Sequence, residues 1–401
     1  MEEYIENMIV LQLTSDYLPN PLWGMGWHVK FLTDSLRKRD VSVYVGTASK
    51  SRNIDNDIIT TGGDVDKYLL SNKPYEIFGN FKKFLTWQRK LGEAVVKRGV
   101  AFDIVHCHNW MSWLSAVEVK KKYPETKIVS TFHLLQKQYD LMSENPIPSC
   151  HDRIVEIEKE MLINSDIIVL QSLSQLNLLK SEYGLSNKLR KVRVIESGIE
   201  LNPLTFDELY NKKLMNPFLD IVFVGRIEKD KGIYQTLNAF SNLSGKYGDI
   251  RLHVVGKGPI LAELSYKFNS KRIIFHGFVD RNSLEDIIAK SFIFCLPTSS
   301  ESFGNSVVEA MMLGAVPVVS KGKTIPVLFR ENFHGLKIPL RFRHGRYEAN
   351  EEDVTQKIDL LLSNRNLLKK FSRKAYKFSR SFYSMDKMAE RMLKLYKETL
   401  G

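Results

Sequence analysis

Short apolar runs rich in Val, Ile and Phe recur along the chain. Between them lie longer stretches whose apolar positions fall every third or fourth residue. In the first half the runs are MIVLQL, VSVYVGT, FDIVHCH, KIVSTFH, DIIVLQ and KVRVIE, with helical patterns at residues 28–39, 110–122 and 172–183. The series starts again at DIVFVGR and continues through IRLHVVG, RIIFHG, SFIFCLP and AVPVVS. Continuous apolar strands alternating with helices predict an α/β fold of parallel sheets covered on both faces. Residues 196–217 are polar, carry two prolines and separate two complete series. The predicted organisation is a Rossmann-like domain over residues 1–200, a linker at 201–217, a second Rossmann-like domain at 218–383, and a last helix at 384–401 packing back on the first domain. The two sheets are expected to face a central cleft. Ligands of such sheets bind beyond the carboxyl ends of the strands, so chemistry belongs just after each run.

A chain of 401 residues, 43% of them hydrophobic, is long enough for two domains with separate cores. Cys107, Cys150 and Cys295 lie far apart without metal-type spacing, which excludes a disulfide framework and fits a reducing cytoplasm. No run reaches the roughly 18 apolar residues of a membrane span. The opening MEEYIENMIVLQL starts acidic and reads as a first buried strand, not a signal peptide. The formal net charge of +12 favours an anionic partner: a phosphate-bearing substrate, an acidic membrane surface or nucleic acid. No nucleic-acid motif accompanies the charge, so nucleic acid is set aside.

Three segments carry candidate chemistry. ESFGNSVVE, residues 301–309, places Glu301 before a helix predicted from Val307 to Leu313, capped by Asn305 or Ser306 and stopped by Gly314. Glu309 falls about one turn inside, so both carboxylates are expected in one pocket at a helix start that attracts phosphate. GRIEKDKG brings Arg226 and Lys231 to the end of the strand DIVFV, where two cations beside a helix start suit a diphosphate. GMGWHV, from Gly24, follows the first strand and lets backbone approach a phosphate or sugar, although the full dinucleotide fingerprint is absent.

Other segments carry less. GKGP, from Gly256, reads as a turn that shapes a loop. HCHNW and STFH end two strands. His106 and His108 share a side as metal ligands do, but no third ligand has clear spacing, and no metal site is expected. His133 sits one step beyond its strand, where a residue facing a ligand belongs. Asp55, Asp57, Asp64 and Asp66 lie in a polar segment read as a solvated loop. Near the end, Arg373, Lys377 and Arg380 share one helical face, and Phe371, Ala375, Phe378 and Phe382 the other. That is an amphipathic helix packed by its phenylalanines, with peripheral contact to an anionic membrane as the second account.

Together these pieces resemble the retaining glycosyltransferases of family 4, which have the two-domain GT-B fold. The resemblance spans nearly the whole chain. It rests on the Glu-x7-Glu pair Glu301 and Glu309, on the run from Gly225 to Gly232, and on the order of glycine loop, strand-end histidine, Arg/Lys loop and Glu-x7-Glu. It implies a cytoplasmic carbohydrate-biosynthesis transferase that uses a nucleotide sugar, with no further cofactor. Arg226 and Lys231 match the residues that hold the diphosphate, and Glu301 the glutamate that contacts the donor sugar. Glu309 matches the one that binds ribose hydroxyls. Phe303, Gly304 and Asn305 match the backbone beside sugar and phosphate, Gly24 a glycine near the phosphates, and His133 a histidine beside the reacting sugar. Two positions depart from the family pattern: Trp23 replaces an earlier glycine, and Val327 replaces a glutamate after VPVVS. HCHNWMSWLSAV and STFHLL also look like parts of glycogen and starch synthases, which points to a glucose-type donor with UDP favoured.

Read physically, Arg226, Lys231 and the helix start stabilise charge growing on the diphosphate, the role a metal ion plays elsewhere. The expected activity is hexose transfer, of glucose or GlcNAc type, to a hydroxyl of a saccharide, a lipid-linked sugar, or a small metabolite or antibiotic aglycone. The acceptor is not legible. A nucleotide-sugar 2-epimerase of the same fold is the rival enzyme, and a non-catalytic sugar-nucleotide-binding protein the rival of another class. A nicotinamide dehydrogenase lacks its glycine fingerprint.

Overall fold

The computed structural model describes residues 8–17, 24–47, 56–61, 81–142, 150–184, 190–200, 202–299, 301, 303–322, 327–343 and 346–401. It contains two compact units: Met1–Gly198 with Met385–Gly401, and Ile199–Ser384.

In the first unit the strands are β1 (Ile9–Leu13), β2 (Ser42–Thr47), β3 (Ile58–Thr60), β4 (Ile104–His108), β5 (Lys127–Phe132), β6 (Ile167–Leu170) and β7 (Val192–Val194). They form one sheet in the order β3-β2-β1-β4-β5-β6-β7, every pairing parallel. The second unit repeats this winding with β8 (Leu219–Val224), β9 (Ile250–Val255), β10 (Ile273–Gly277), β11 (Ser291–Leu296), β12 (Val316–Lys321), β13 (Leu336–Arg343) and β14 (Arg346–Ala349). Its order is β10-β9-β8-β11-β12-β13-β14. The β13–β14 pair is antiparallel, so the second sheet is not parallel throughout. In both sheets the order reverses between the first strand and the fourth. That places the ligand-binding ends of β1 and β4, and of β8 and β11, at topological switch points.

Continuous burial on both faces explains the strands: β4, β5 and β11 are almost wholly buried. The last helix, Met385–Leu400, belongs to the first unit. Met388, Met392, Leu395 and Tyr396 are buried there with Met8, Val10, Leu32 and Leu36.

The expected linker is corrected. Residues 206–214 form a helix, Phe206–Leu214, capped by Thr205 and Glu208 in a reciprocal capping box. Phe206 and Leu209 are buried in the core of the second unit, so most of the segment is structure and not tether. The segment read as a solvated acidic loop holds β3, and Asp57 accepts from Arg37 at 3.3 Å. Asp55, Asp64 and Asp66 lie outside the described residues, as does Trp23. On the basic face of the helix Arg365–Phe382, Arg373 and Arg380 are engaged within their unit. Arg373 pairs with Asp207 at 2.9 Å, and Arg380 donates to the Asn202 carbonyl at 2.6 Å.

Glu158, on the helix His151–Asn164, is fully buried and accepts the Gln136 N–H at 2.9 Å and the Tyr183 hydroxyl. Burial pushes its carboxyl up to about 8 against the favourable hydrogen bonds. The folded value lies above the unfolded one, roughly 4.3. The stability it contributes is therefore complete below the unfolded value and is lost as pH rises through the folded one. A thermal-denaturation series is expected to show Tm falling from about pH 5 to pH 8, with Glu158→Gln flattening that slope. An unchanged slope in the variant removes Glu158 as its source.

Candidate active site

In the second unit β8 delivers Gly225 and Arg226, and β11 delivers Pro297 to Glu301, at neighbouring carboxyl ends. The two loops are stitched together. Ser299 donates its N–H to the Asp230 carbonyl at 2.7 Å, and the Thr298 hydroxyl donates to the same oxygen at 3.2 Å. Gly232 has φ +71° and lies so close to the second loop that a Cβ would meet the Pro297 carbonyl oxygen at 2.2 Å. Only glycine fits that crossing. The GKGP turn supports the same place: Ile227 donates its N–H to the Lys257 carbonyl at 2.9 Å.

This crossing brings the Lys231 ammonium to the Glu301 carboxylate at 3.1 Å, with side-chain exposures of 7% and 18%. The two strongest sequence motifs thus meet in a largely desolvated ion pair. Arg226 stays half-exposed beside Glu228 at 2.8 Å and Asp230 at 3.9 Å.

The helix after Glu301 runs Asn305–Met312 and differs from expectation at its start. Gly304, at φ +98°, is the cap, and no side chain caps the helix. Asn305 and Ser306 are already helical because the left-handed turn at Gly304 begins the helix two residues early. The positive φ at Gly304 strains any other residue there, and a Cβ would also press on the Leu328 side chain at 2.9 Å. A helix start without a side-chain cap leaves backbone N–H groups for an anion. Phe303 is buried beneath the turn. Gly314 stops the helix: its N–H reaches the Met311 carbonyl and that of Ala315 the Ala310 carbonyl, a Schellman closure.

Glu309 meets a different cation from Glu301. It pairs with Arg281 at 3.5 Å and lines a shallow pocket with Arg281, Leu284, Glu285 and Met312. Burial raises its carboxyl above the usual range, and Arg281 opposes that shift. Glu309 lies one turn into the helix, on the face of its first residue, Asn305. Sequence reading missed Arg281. Its signal is the N-cap Asp280 just before it, which marks a helix starting at the end of β10.

In the first unit Gly24 opens the helix Gly24–Arg37, so GMGWHV is helix and not turn. The Asp16 carboxylate, beyond β1, accepts the Gly26 N–H at 3.2 Å and supports that start. On the same helix His28 meets His108 from β4 and His133 from the end of β5. The His108 Nδ1 lies 2.9 Å from His133 Nε2, and the Gln171 amide nitrogen 2.9 Å from His133 Nδ1. Burial pushes His28 down to about 4 and His106 to about 3, and holds His108 and His133 well below the ordinary value. The imidazoles are neutral near pH 7. Both ring nitrogens of His133 are engaged, which disfavours it as a base.

Among the described residues, His28, His108 and His133 can offer ring nitrogens to a metal ion within 4.8 Å of one another. A proton shared between His108 and His133 occupies two of the three, and an ion must displace it. His106, which shares a strand with His108, stands outside this set. The two further partners of His108, invisible in spacing, come from the end of another strand and from a helix.

Comparison with known proteins agrees with this architecture. Residues 23–202 match the model of Glycosyltransferase Family 4, and residues 211–378 that of Glycosyl transferases group 1. An uncharacterized glycosyltransferase of Methanocaldococcus jannaschii is 24% identical, covering 97% of this chain and 98% of its own. A glycogen synthase of Mycobacterium tuberculosis is 24% identical over 78% of each chain. The catalytic domain of starch synthase IV from Arabidopsis thaliana superposes with a TM-score of 0.76 at 14% identity, covering 98% of this chain and 99% of the other. The two units have the GT-B fold. The chain belongs to the group 1, family 4 glycosyltransferases, a retaining family that transfers sugar from nucleotide-sugar donors. No helix among the described residues is long and apolar enough to cross a membrane.

Proposed function

We propose that the chain transfers a hexose of the glucose or GlcNAc type, with retention and without a metal ion, from a UDP-sugar to a hydroxyl of a saccharide, lipid-linked sugar or small metabolite. The observation that carries this reading is the buried Lys231–Glu301 pair, which stands between the Arg226 loop and the helix start at Gly304. Lys231, Arg226 and the helix N–H groups take up charge as the sugar–phosphate bond breaks and its electrons pass to the diphosphate. Glu301 holds the donor sugar, Phe303 to Asn305 line sugar and phosphate with backbone, and Glu309 holds the ribose. Gly24 marks the close approach on the first unit.

With His133 neutral and hydrogen-bonded at both nitrogens, we assign it to holding and not to proton abstraction. The acceptor proton then leaves with the diphosphate, on the face where the new bond forms. Similarity to a glycogen synthase supports the glucose-type donor. The test is a thermal-shift panel of UDP-, ADP-, GDP- and dTDP-sugars in EDTA, followed by turnover with and without acceptors. UDP-glucose or UDP-GlcNAc is expected to give the largest shift, and product to form only with an acceptor. Activity lost in EDTA and restored by Mn²⁺ or Mg²⁺ overturns the metal-free reading. Turnover without acceptor replaces transfer by epimerisation.

A further inference from the structure

The first unit buries a row of polar side chains that a packed sheet has no need of. Gln12, His106, His108, Thr131 and Tyr396 are each at most 1% exposed, and Gln171 is 5% exposed. Burying such groups is costly unless each finds a partner. Here they satisfy one another in sequence. Gln171 Nε2 donates to His133 Nδ1 at 2.9 Å. The neutral ring then carries its proton on Nε2, which donates to His108 Nδ1 at 2.9 Å. His108 Nε2 donates to Gln12 Oε1 at 2.7 Å, and Gln12 Nε2 to Tyr396 Oη at 3.1 Å. The Tyr396 hydroxyl donates to His106 Nδ1 at 2.6 Å, and His106 Nε2 to Thr131 Oγ1 at 2.7 Å.

Every bond runs in one direction. A neutral imidazole that accepts at one nitrogen must donate at the other, and an amide that donates at nitrogen accepts at oxygen. Each member is ambivalent by itself, so the chain has two self-consistent polarities, and the amide orientations select this one. The chain threads the carboxyl ends of β1, β4, β5 and β6, at the switch point of the sheet. Tyr396 alone joins its two halves, and it comes from the last helix.

We propose that Tyr396 and Gln12 are positioning residues for sugar transfer: through this chain they hold His133 as its Nε2–H tautomer and leave the Gln171 amide oxygen as a hydroxyl acceptor. The proposal rests on the transferase reading, in which His133 serves the reacting sugar. It assigns a catalytic consequence to the last helix, beyond the apolar cover that Met388, Met392 and Leu395 supply.

Long-range proton–nitrogen NMR spectra of the full chain, labelled at histidine nitrogen, read the tautomers directly. In the unaltered protein at pH 7, His106, His108 and His133 are all expected as Nε2–H. Opposite tautomers at His108 and His133 overturn the chain. Tyr396→Phe keeps the ring and removes the link. His108 and His133 are then expected to populate both tautomers, and turnover to fall about tenfold with donor KM unchanged, as for one lost hydrogen bond. An unshifted His133, or shifted tautomers with full turnover, overturns the positioning role. Should Tyr396→Phe fail to fold, Gln12→Met cuts the chain between His108 and Tyr396 without touching the last helix and is read in the same way. Absence of turnover in the unaltered protein counts against the transferase reading alone, because the tautomer spectra need no substrate.

Discussion

Alanine in place of Lys231 is expected to lower turnover by about 100-fold or more, the scale set by losing one preorganised donor to a developing oxyanion. The same loss is expected for Arg226→Ala. A 100-fold loss is roughly 2.7 kcal/mol of transition-state stabilisation. The two cations reach that end by different routes. Lys231 is nearly buried and its Nζ lies 3.1 Å from Glu301, so its charge acts in a poorly screened setting. Removing it also leaves a partly buried carboxylate without that cation, which costs stability and repels a diphosphate. Arg226 is half-exposed, so its removal should leave Tm nearly unchanged and act on the reaction. Measuring kcat, KM and Tm together separates these effects. For Arg226→Ala a fall in kcat at constant Tm is expected, and for Lys231→Ala a fall in both. Turnover near that of the unaltered protein in both variants removes the diphosphate assignment.

The contrast between these cations was not legible in the chain. GRIEKDKG shows two positive charges in one loop. Which of them is desolvated depends on the crossing at Gly232 and Pro297, a contact between loops some 65 residues apart. Elements with continuous apolar runs were legible because burial on both faces writes itself into local composition. β13 hides for the opposite reason: LKIPLRFR mixes basic residues and a proline with apolar ones, and its later residues are exposed. The Phe206–Leu214 helix shows its capping box, Thr205 to Glu208, openly in sequence. It was obscured by the polar composition around it. The meeting of His28, His108 and His133 had no local signal. The strand order brings them together, and no spacing along the chain records that order.

The start of the 305–312 helix shows how a two-residue error carries over into chemistry. A cap at Asn305 or Ser306 fills the anion position with a side chain, whereas a left-handed glycine at 304 leaves it to backbone N–H groups. Glu301 and Glu309, eight residues apart across a loop and a helical turn, meet different cations, Lys231 and Arg281.

That difference sharpens what the two glutamates should do. Glu301 is tied to Lys231, the cation we propose for the leaving diphosphate, so Glu301→Gln is expected to cut kcat by about 100-fold, through both donor-sugar placement and the setting of Lys231. Glu309 pairs with Arg281 and not with Lys231, so Glu309→Gln should weaken donor binding about tenfold and leave kcat nearly unchanged, as removal of uniform binding does. Isothermal titration with the best donor and initial-rate kinetics read the two losses separately. Equal and trivial effects of both changes remove the assignment of sugar to one and ribose to the other. The same geometry bears on stereochemistry. Inversion needs a base on the face opposite the leaving group, and His133, neutral and engaged at both nitrogens, does not supply one. Retention needs donor sugar and diphosphate held on one face, the role we propose for the Arg226 loop, the Lys231–Glu301 pair and the Gly304 helix start, which belong to a single unit. An α-linked donor is therefore expected to give an α-linked product, readable from the proton coupling at the new anomeric centre. A β-linked product would overturn retention and send the search for a base back to the first unit.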